Sequence, residues 1–76
     1  MKTVERIIVD PDICHGKPTI RGTRIMVSSV LSLLAGGYII AQIREYYPDL
    51  SEEDIREAIE YAVALIDEEI VLTAHS

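Results

Sequence analysis

Ile55, Ala58, Ile59, Ala62, Val63 and Ile66 recur three and four residues apart, a spacing that a helix can bury on one side and a strand cannot. The run before them is a start signal. Ser51 offers a hydroxyl N-cap, and Asp54, three residues on, supplies the carboxylate of a capping box, with Asp in the place of the commoner Glu. Glu52, Glu53 and Asp54 crowd the first turn, where the helix dipole favours negative charge. Glu53, Glu57, Glu60 and Asp67 fall mainly on the side opposite the apolar stripe. Pro48, just upstream, stops whatever helix comes before.

The rest of the chain is arranged around this helix. Arg6 to Asp10 is a short β-branched run ended by Asp10-Pro11, the pattern of a strand. A loop of Pro, Asp, His and Gly follows to Lys17. Ile20 and Ile25 then flank a polar centre. Gly22-Thr23 predicts a two-residue hairpin turn there, because glycine tolerates positive φ. From Val27 the period becomes helical, with Val27, Val30, Leu31 and Leu34 on one side and Gly36-Gly37 as the C-cap. A second helix is predicted from Ile39 to about Tyr46. The expected architecture is a single domain over 1–76, mainly α with a short N-terminal β element. Strand and hairpin occupy 6–26, a three-helix, helix-turn-helix-like unit 27–70, and a tail 71–76. Repeats, low-complexity tracts and linkers are absent from the sequence.

Several chemistries are unsupported by the residues. The single cysteine, Cys14, rules out an internal disulfide, and no apolar run approaches the roughly 18–20 residues that cross a bilayer. The first residues lack the shape of a signal peptide, so the expected location is the cytoplasm. Cys14 and His15 are adjacent, which rarely orients a nucleophile and its base, and Cys14 reads better as a small buried hydrophobe. Asp10 and Asp12 fit turn chemistry, and His15-Gly16-Lys17-Pro18 lacks the spacing of a phosphate loop. The two histidines and the cysteine have no metal-ligand spacing. The expectation is therefore a binding protein, with no catalytic residue, metal, cofactor, small-molecule substrate or membrane.

Two features point to macromolecular partners. Hydrophobic residues make up 49% of the chain, yet 76 residues bury only roughly 60–65% of their unfolded surface. Surplus apolar surface suggests a homodimer or a docking face. Charge is also uneven. Up to Tyr47 six Lys and Arg meet four acids, for +2; from Pro48 onward Arg56 stands against nine acids, for −8, which together give the net −6. Lys17, Arg21 and Arg24 surround the predicted turn, and such a ribbon can follow a DNA backbone, with an arginine reading a guanine edge; the alternative is pairing with acids. The start of the third helix is a poor reader of the groove, since its acids would face phosphates.

The run Gly16-Lys17-Pro18-Thr19-Ile20-Arg21-Gly22-Thr23-Arg24-Ile25 resembles the signature G-x-P-x-I-x-G-T-R-I of the short prokaryotic proteins grouped as domain of unknown function 433. The later stretch from Ala35-Gly36-Gly37-Tyr38-Ile39-Ile40 through Tyr47-Pro48-Asp49-Leu50-Ser51-Glu52-Glu53-Asp54-Ile55 is similar to it as well, and the likeness covers about residues 6 to 68. The resemblance implies a homeodomain-like helix-turn-helix fold and an antitoxin role beside a PIN-like ribonuclease toxin, with dimeric DNA binding for autoregulation. On that basis Lys17, Arg21 and Arg24 are the expected DNA contacts, and Tyr46, Tyr47, Leu50, Val71 and Leu72 the expected partner interface. The acidic half is expected to cover the toxin's basic groove. Gly22, Gly36, Gly37 and Pro48 are the structural turn residues. A protein-only adaptor without DNA binding is the alternative.

Overall fold

The computed structural model of the chain describes residues 5–73, with side chains for 5–67. Two short strands, β1 (Ile7–Ile8) and β2 (Thr19–Ile20), precede three helices, α1 (Val27–Ala35), α2 (Ile40–Tyr46) and α3 (Glu52–Thr73). The fold is mainly helical, as the periodicity predicts.

The β element differs from the sequence expectation in two ways. Only Ile7 and Ile8 of the 6–10 run pair, antiparallel to β2, in the register Ile7 to Ile20 and Ile8 to Thr19. The strand ends early because Asp10 turns the chain: its carbonyl accepts from Ile13 N–H, and its side chain accepts from Asp12 N–H at 2.9 Å. The reversal after β2 is also wider than a two-residue hairpin. Ile20 N–H donates to the Ile25 carbonyl, and an antiparallel bridge joins Thr19 to Met26, so Arg21 to Arg24 form a four-residue connection. The Thr23 hydroxyl explains the extra width. It donates to the Ile20 carbonyl at 2.8 Å and accepts from Ile25 N–H at 3.0 Å, taking the place of a tight ladder pair. Gly22 adopts φ 80° at the tip, as the turn requires.

The helices start and stop where local chemistry dictates. Val27 N–H donates to the Pro18 carbonyl, which ties the start of α1 to the β element. At its end, Tyr38 N–H reaches back to Leu33 and Gly37 N–H to Leu34, with Gly37 at φ 97°, which is a Schellman closure. In α2 the Gln42 side chain accepts from Ile39 N–H. At α3 the capping box forms in full: Ser51 Oγ accepts from Asp54 N–H at 3.1 Å, and Asp54 Oδ2 accepts from Ser51 N–H at 2.9 Å.

Ile7, Ile20, Val27, Val30, Ile43, Leu50, Ile55 and Ala58 form one buried core, so both strands, all three helices and the turn before α3 contribute to it. Leu50, expected at a partner interface, is 1% exposed and belongs to this core instead. The Tyr47–Leu50 turn points it inward, with Leu50 N–H bonded to the Tyr47 carbonyl and the Leu50 carbonyl accepting from Arg44 Nε. The apolar stripe of α3 outruns the body it packs on. Ile55 and Ala58 are buried and Ile59 and Ala62 half-buried, but Val63 and Ile66 are 52% and 50% exposed. α3 also continues to Thr73, three residues into the expected tail.

Candidate interaction surfaces

Arg6 is the electrostatic centre of the molecule, a role the sequence reading did not assign. Its guanidinium bonds Asp54 Oδ1 at 3.1 Å through Nη1 and Glu57 Oε2 at 3.1 Å through Nε, and it lies 3.5 Å from Glu53 through Nη2. Its backbone N–H also donates to Glu57 Oε1, and its carbonyl accepts from Arg21 N–H at 2.7 Å. One residue at the head of β1 thus holds three carboxylates from the first turns of α3. The Asp54 hydrogen bond and the neighbouring acids raise the Arg6 pKa and keep it charged. Burial pushes the Asp54 carboxyl upward, but the Ser51 backbone N–H, the Arg6 guanidinium and the Ser51 hydroxyl outweigh it and hold the group below its usual range. A sequence signal for this cluster exists only in hindsight: a lone arginine in an apolar strand opposite an acidic helix start.

Lys17, Arg21 and Arg24 are exposed, and no ion pair joins any of them to another described residue. They do not form one ribbon. Arg21 lines a concavity of about 500 Å³ with Glu5, Arg6, Glu53, Asp54 and Glu57, so its setting is acidic. Lys17 lines a different, largely apolar groove of about 280 Å³ between α1 and α3, beside Pro18, Val27, Leu31, Tyr61 and Leu65. Arg24 stands at the reversal, where its carbonyl accepts from the Cys14 thiol at 3.5 Å. Cys14 is half-buried rather than buried. It begins three successive left-handed residues, Cys14, His15 and Gly16.

The expected partner residues are also divided. Tyr46 is 62% exposed and meets Tyr47 edge-on, with ring centroids 4.8 Å apart. Tyr47 is half-buried against the core. The side chains of Val71 and Leu72 lie outside the described residues. Along α3, Glu53, Glu60 and Asp67 recur every seven residues and so run in a line of about 21 Å on one side of the helix. Arg56 is the one cation of α3, and it pairs with Glu52 at 2.7 Å. Among the described residues no group of three His, Cys, Asp or Glu is placed to hold a metal, and no helix is long and apolar enough to cross a membrane.

Comparison with known proteins gives a consistent result. Residues 7–62 match the family model described as protein of unknown function (DUF433). An uncharacterized protein of Sinorhizobium fredii, y4eO, is 40% identical over 60 residues; these are 79% of this chain but 27% of that protein, so the chain spans about a quarter of its relative's length. The crystal structure of a DUF433 member protein from Anabaena variabilis is similar at a TM-score of 0.72 and 32% identity, over 87% of this chain and 68% of that one.

Proposed function

We propose, from the premise that the chain belongs to the DUF433 family of proteins of unknown function, that it is an antitoxin-like binding protein that docks on a PIN-like ribonuclease toxin and also contacts DNA as a pair of copies. It is a non-catalytic protein of the cytoplasm in this reading. The observation that supports it is the line of carboxylates on α3. Glu53, Glu60 and Asp67 repeat along about 21 Å. An RNA-binding groove is basic because its ligand is a polyanion, and a rigid row of acids fits such a groove by charge. DNA contact falls to Arg24 and Arg21 at the reversal, the exposed cations nearest each other in sequence.

A protein-only adaptor is the second reading. It is favoured by one observation: Lys17 and Arg21 line separate concavities, and that of Arg21 is rich in acid. The two are separable. Co-purification with the product of a neighbouring nuclease-like gene tests docking. Reversing Glu60 and Asp67 to lysine should slow association at low salt, and a complex indifferent to both changes would refute the acid-row mechanism. A gel shift on the upstream DNA tests the other arm. Binding that weakens steeply with salt and is lost in Arg21→Ala/Arg24→Ala supports DNA contact, and no shift at low salt leaves the adaptor.

A further inference from the structure

We propose that Glu5 and Glu53 screen Arg21 from DNA phosphates, so that the reversal after β2 carries one open arginine, Arg24, and one restrained one, Arg21. Arg21 is fixed at the wall of the acidic concavity. Its N–H donates to the Arg6 carbonyl at 2.7 Å, and it lines the space of about 500 Å³ shared with Glu5, Arg6, Glu53, Asp54 and Glu57. Four acids and two arginines give this wall a net charge of −2. Arg6 binds Asp54 and Glu57 at 3.1 Å each, which leaves Glu5 and Glu53 as the acids without a close partner. The Glu53 side chain is 3.5 Å from Arg6 and 75% exposed; Glu5 is exposed, and its side chain bonds to no other described residue. Arg24, three positions on from Arg21, is exposed and does not line this concavity.

The consequence is electrostatic. A phosphate that reaches Arg21 on this side enters a space lined mostly by carboxylates. A carboxylate about 4–8 Å from a phosphate weakens the contact by roughly 2- to 6-fold even at the dielectric of water, and low salt preserves the effect. The same acids attract the guanidinium, so carboxylates and phosphates compete for it. Arg24 stands outside this competition. Glu53 is also the first acid of the α3 row, so neutralising that row at its start lifts part of the screen from Arg21. If Arg21 only offset the local acid charge, DNA affinity would respond to these acids no more than to acids elsewhere on the chain.

This inference rests on the DNA contact proposed above, and the experiment separates the two. Fluorescence anisotropy with a labelled DNA duplex of about 20 base pairs, at low salt, reads the affinity of the full chain and its variants. Glu5→Gln/Glu53→Gln should bind roughly 5-fold or more tightly than wild type. Glu45→Gln/Asp67→Asn makes the same change in net charge with neither residue in the concavity, and should gain less than about 2-fold. The gain should vanish when Arg21→Ala is added and persist when Arg24→Ala is added. In the wild-type background Arg24→Ala should cost more affinity than Arg21→Ala. Helical circular dichroism checks the fold, since Arg6 keeps Asp54 and Glu57 in every variant. Glu5→Gln alone is a second route, because it breaks no side-chain bond to another described residue, and it should gain roughly 2-fold or more with the same dependence on Arg21. A gain no larger than that of the charge-matched variant overturns the inference, and so does a gain that survives Arg21→Ala; with a wild type that binds, the DNA contact itself stands in both cases. If neither wild type nor Glu5→Gln/Glu53→Gln binds the duplex, the DNA contact and the screen fail together.

Discussion

Leu50→Ala measures the difference between what position 50 suggests in sequence and what it does in the fold. Leu50 follows the Tyr46-Tyr47-Pro48-Asp49 break, where an apolar side chain reads as surface. In the structure it is 1% exposed and clusters with Ile43 and Ile55, which are fully buried. Its backbone bonds to Tyr47 and Arg44 survive truncation, so the change isolates packing. Removing a buried leucine side chain costs about 2–5 kcal/mol. A 76-residue domain at roughly 0.05–0.15 kcal/mol per residue has about 4–11 kcal/mol in all. A loss of about 3 kcal/mol therefore lowers the melting temperature by about 12–24 °C, at about 4–8 °C per kcal/mol for domains of this size. Tyr46→Ala is the control. Tyr46 is 62% exposed and loses mainly its edge contact with Tyr47, about 1 kcal/mol. Thermal and urea unfolding followed by helical circular dichroism, at several protein concentrations because association adds to apparent stability, reads both. If Leu50→Ala melts within about 4 °C of wild type while Tyr46→Ala falls further, the assignment of Leu50 to the core is wrong.

Two other expectations use polar groups. The Thr19 hydroxyl is buried and has no hydrogen-bond partner among the described residues, so Thr19→Val should stabilise the chain by about 1 kcal/mol by removing an unsatisfied group, and a lower urea midpoint would count against this. Asp54 is held below its usual pKa in the fold, so its contribution is fully present above the unfolded value of about 3.9 and is lost as pH falls through the folded value. Asp54→Asn should therefore destabilise at neutral pH and approach wild type in stability near pH 2, and a gap that widens on acidification would show the sign to be wrong.

What was legible in the sequence was whatever depends on neighbours. The three- and four-residue spacing gave the helices, Ser51 and Asp54 gave the start of α3, and Gly36-Gly37 gave the end of α1, since each signal acts within one turn. The turn after Ile20 is two residues wider than Gly22-Thr23 predicts, because the Thr23 hydroxyl competes with backbone pairing and composition does not show which wins. The placement of Arg6 on Glu53, Asp54 and Glu57 was beyond reach. It joins residues some fifty positions apart, and only the packing of β1 on α3 brings them together. The same holds for Lys17 and Arg21, close in sequence and on different surfaces in space.

The separation of Lys17 from Arg21 in space changes what the charge asymmetry means. Along the chain the boundary falls after Tyr47, +2 before and −8 after, which suggests a basic surface and an acidic one. In the fold, Arg6 is already bound to α3, and Arg21 faces the same acids. The working boundary therefore runs around α3 rather than along the chain. One side of the helix, through Ile55 and Ala58, seals the core. The row of Glu53, Glu60 and Asp67 carries the charge, and Leu65, about half-exposed, lies about 140–160° around the helix from Glu60 and Asp67, beside the apolar groove. Past Ala58 the helix carries Val63, Leu65 and Ile66 about half-exposed, so among the described residues burial against the chain's own body stabilises this stretch less than it stabilises the turns around Ile55 and Ala58.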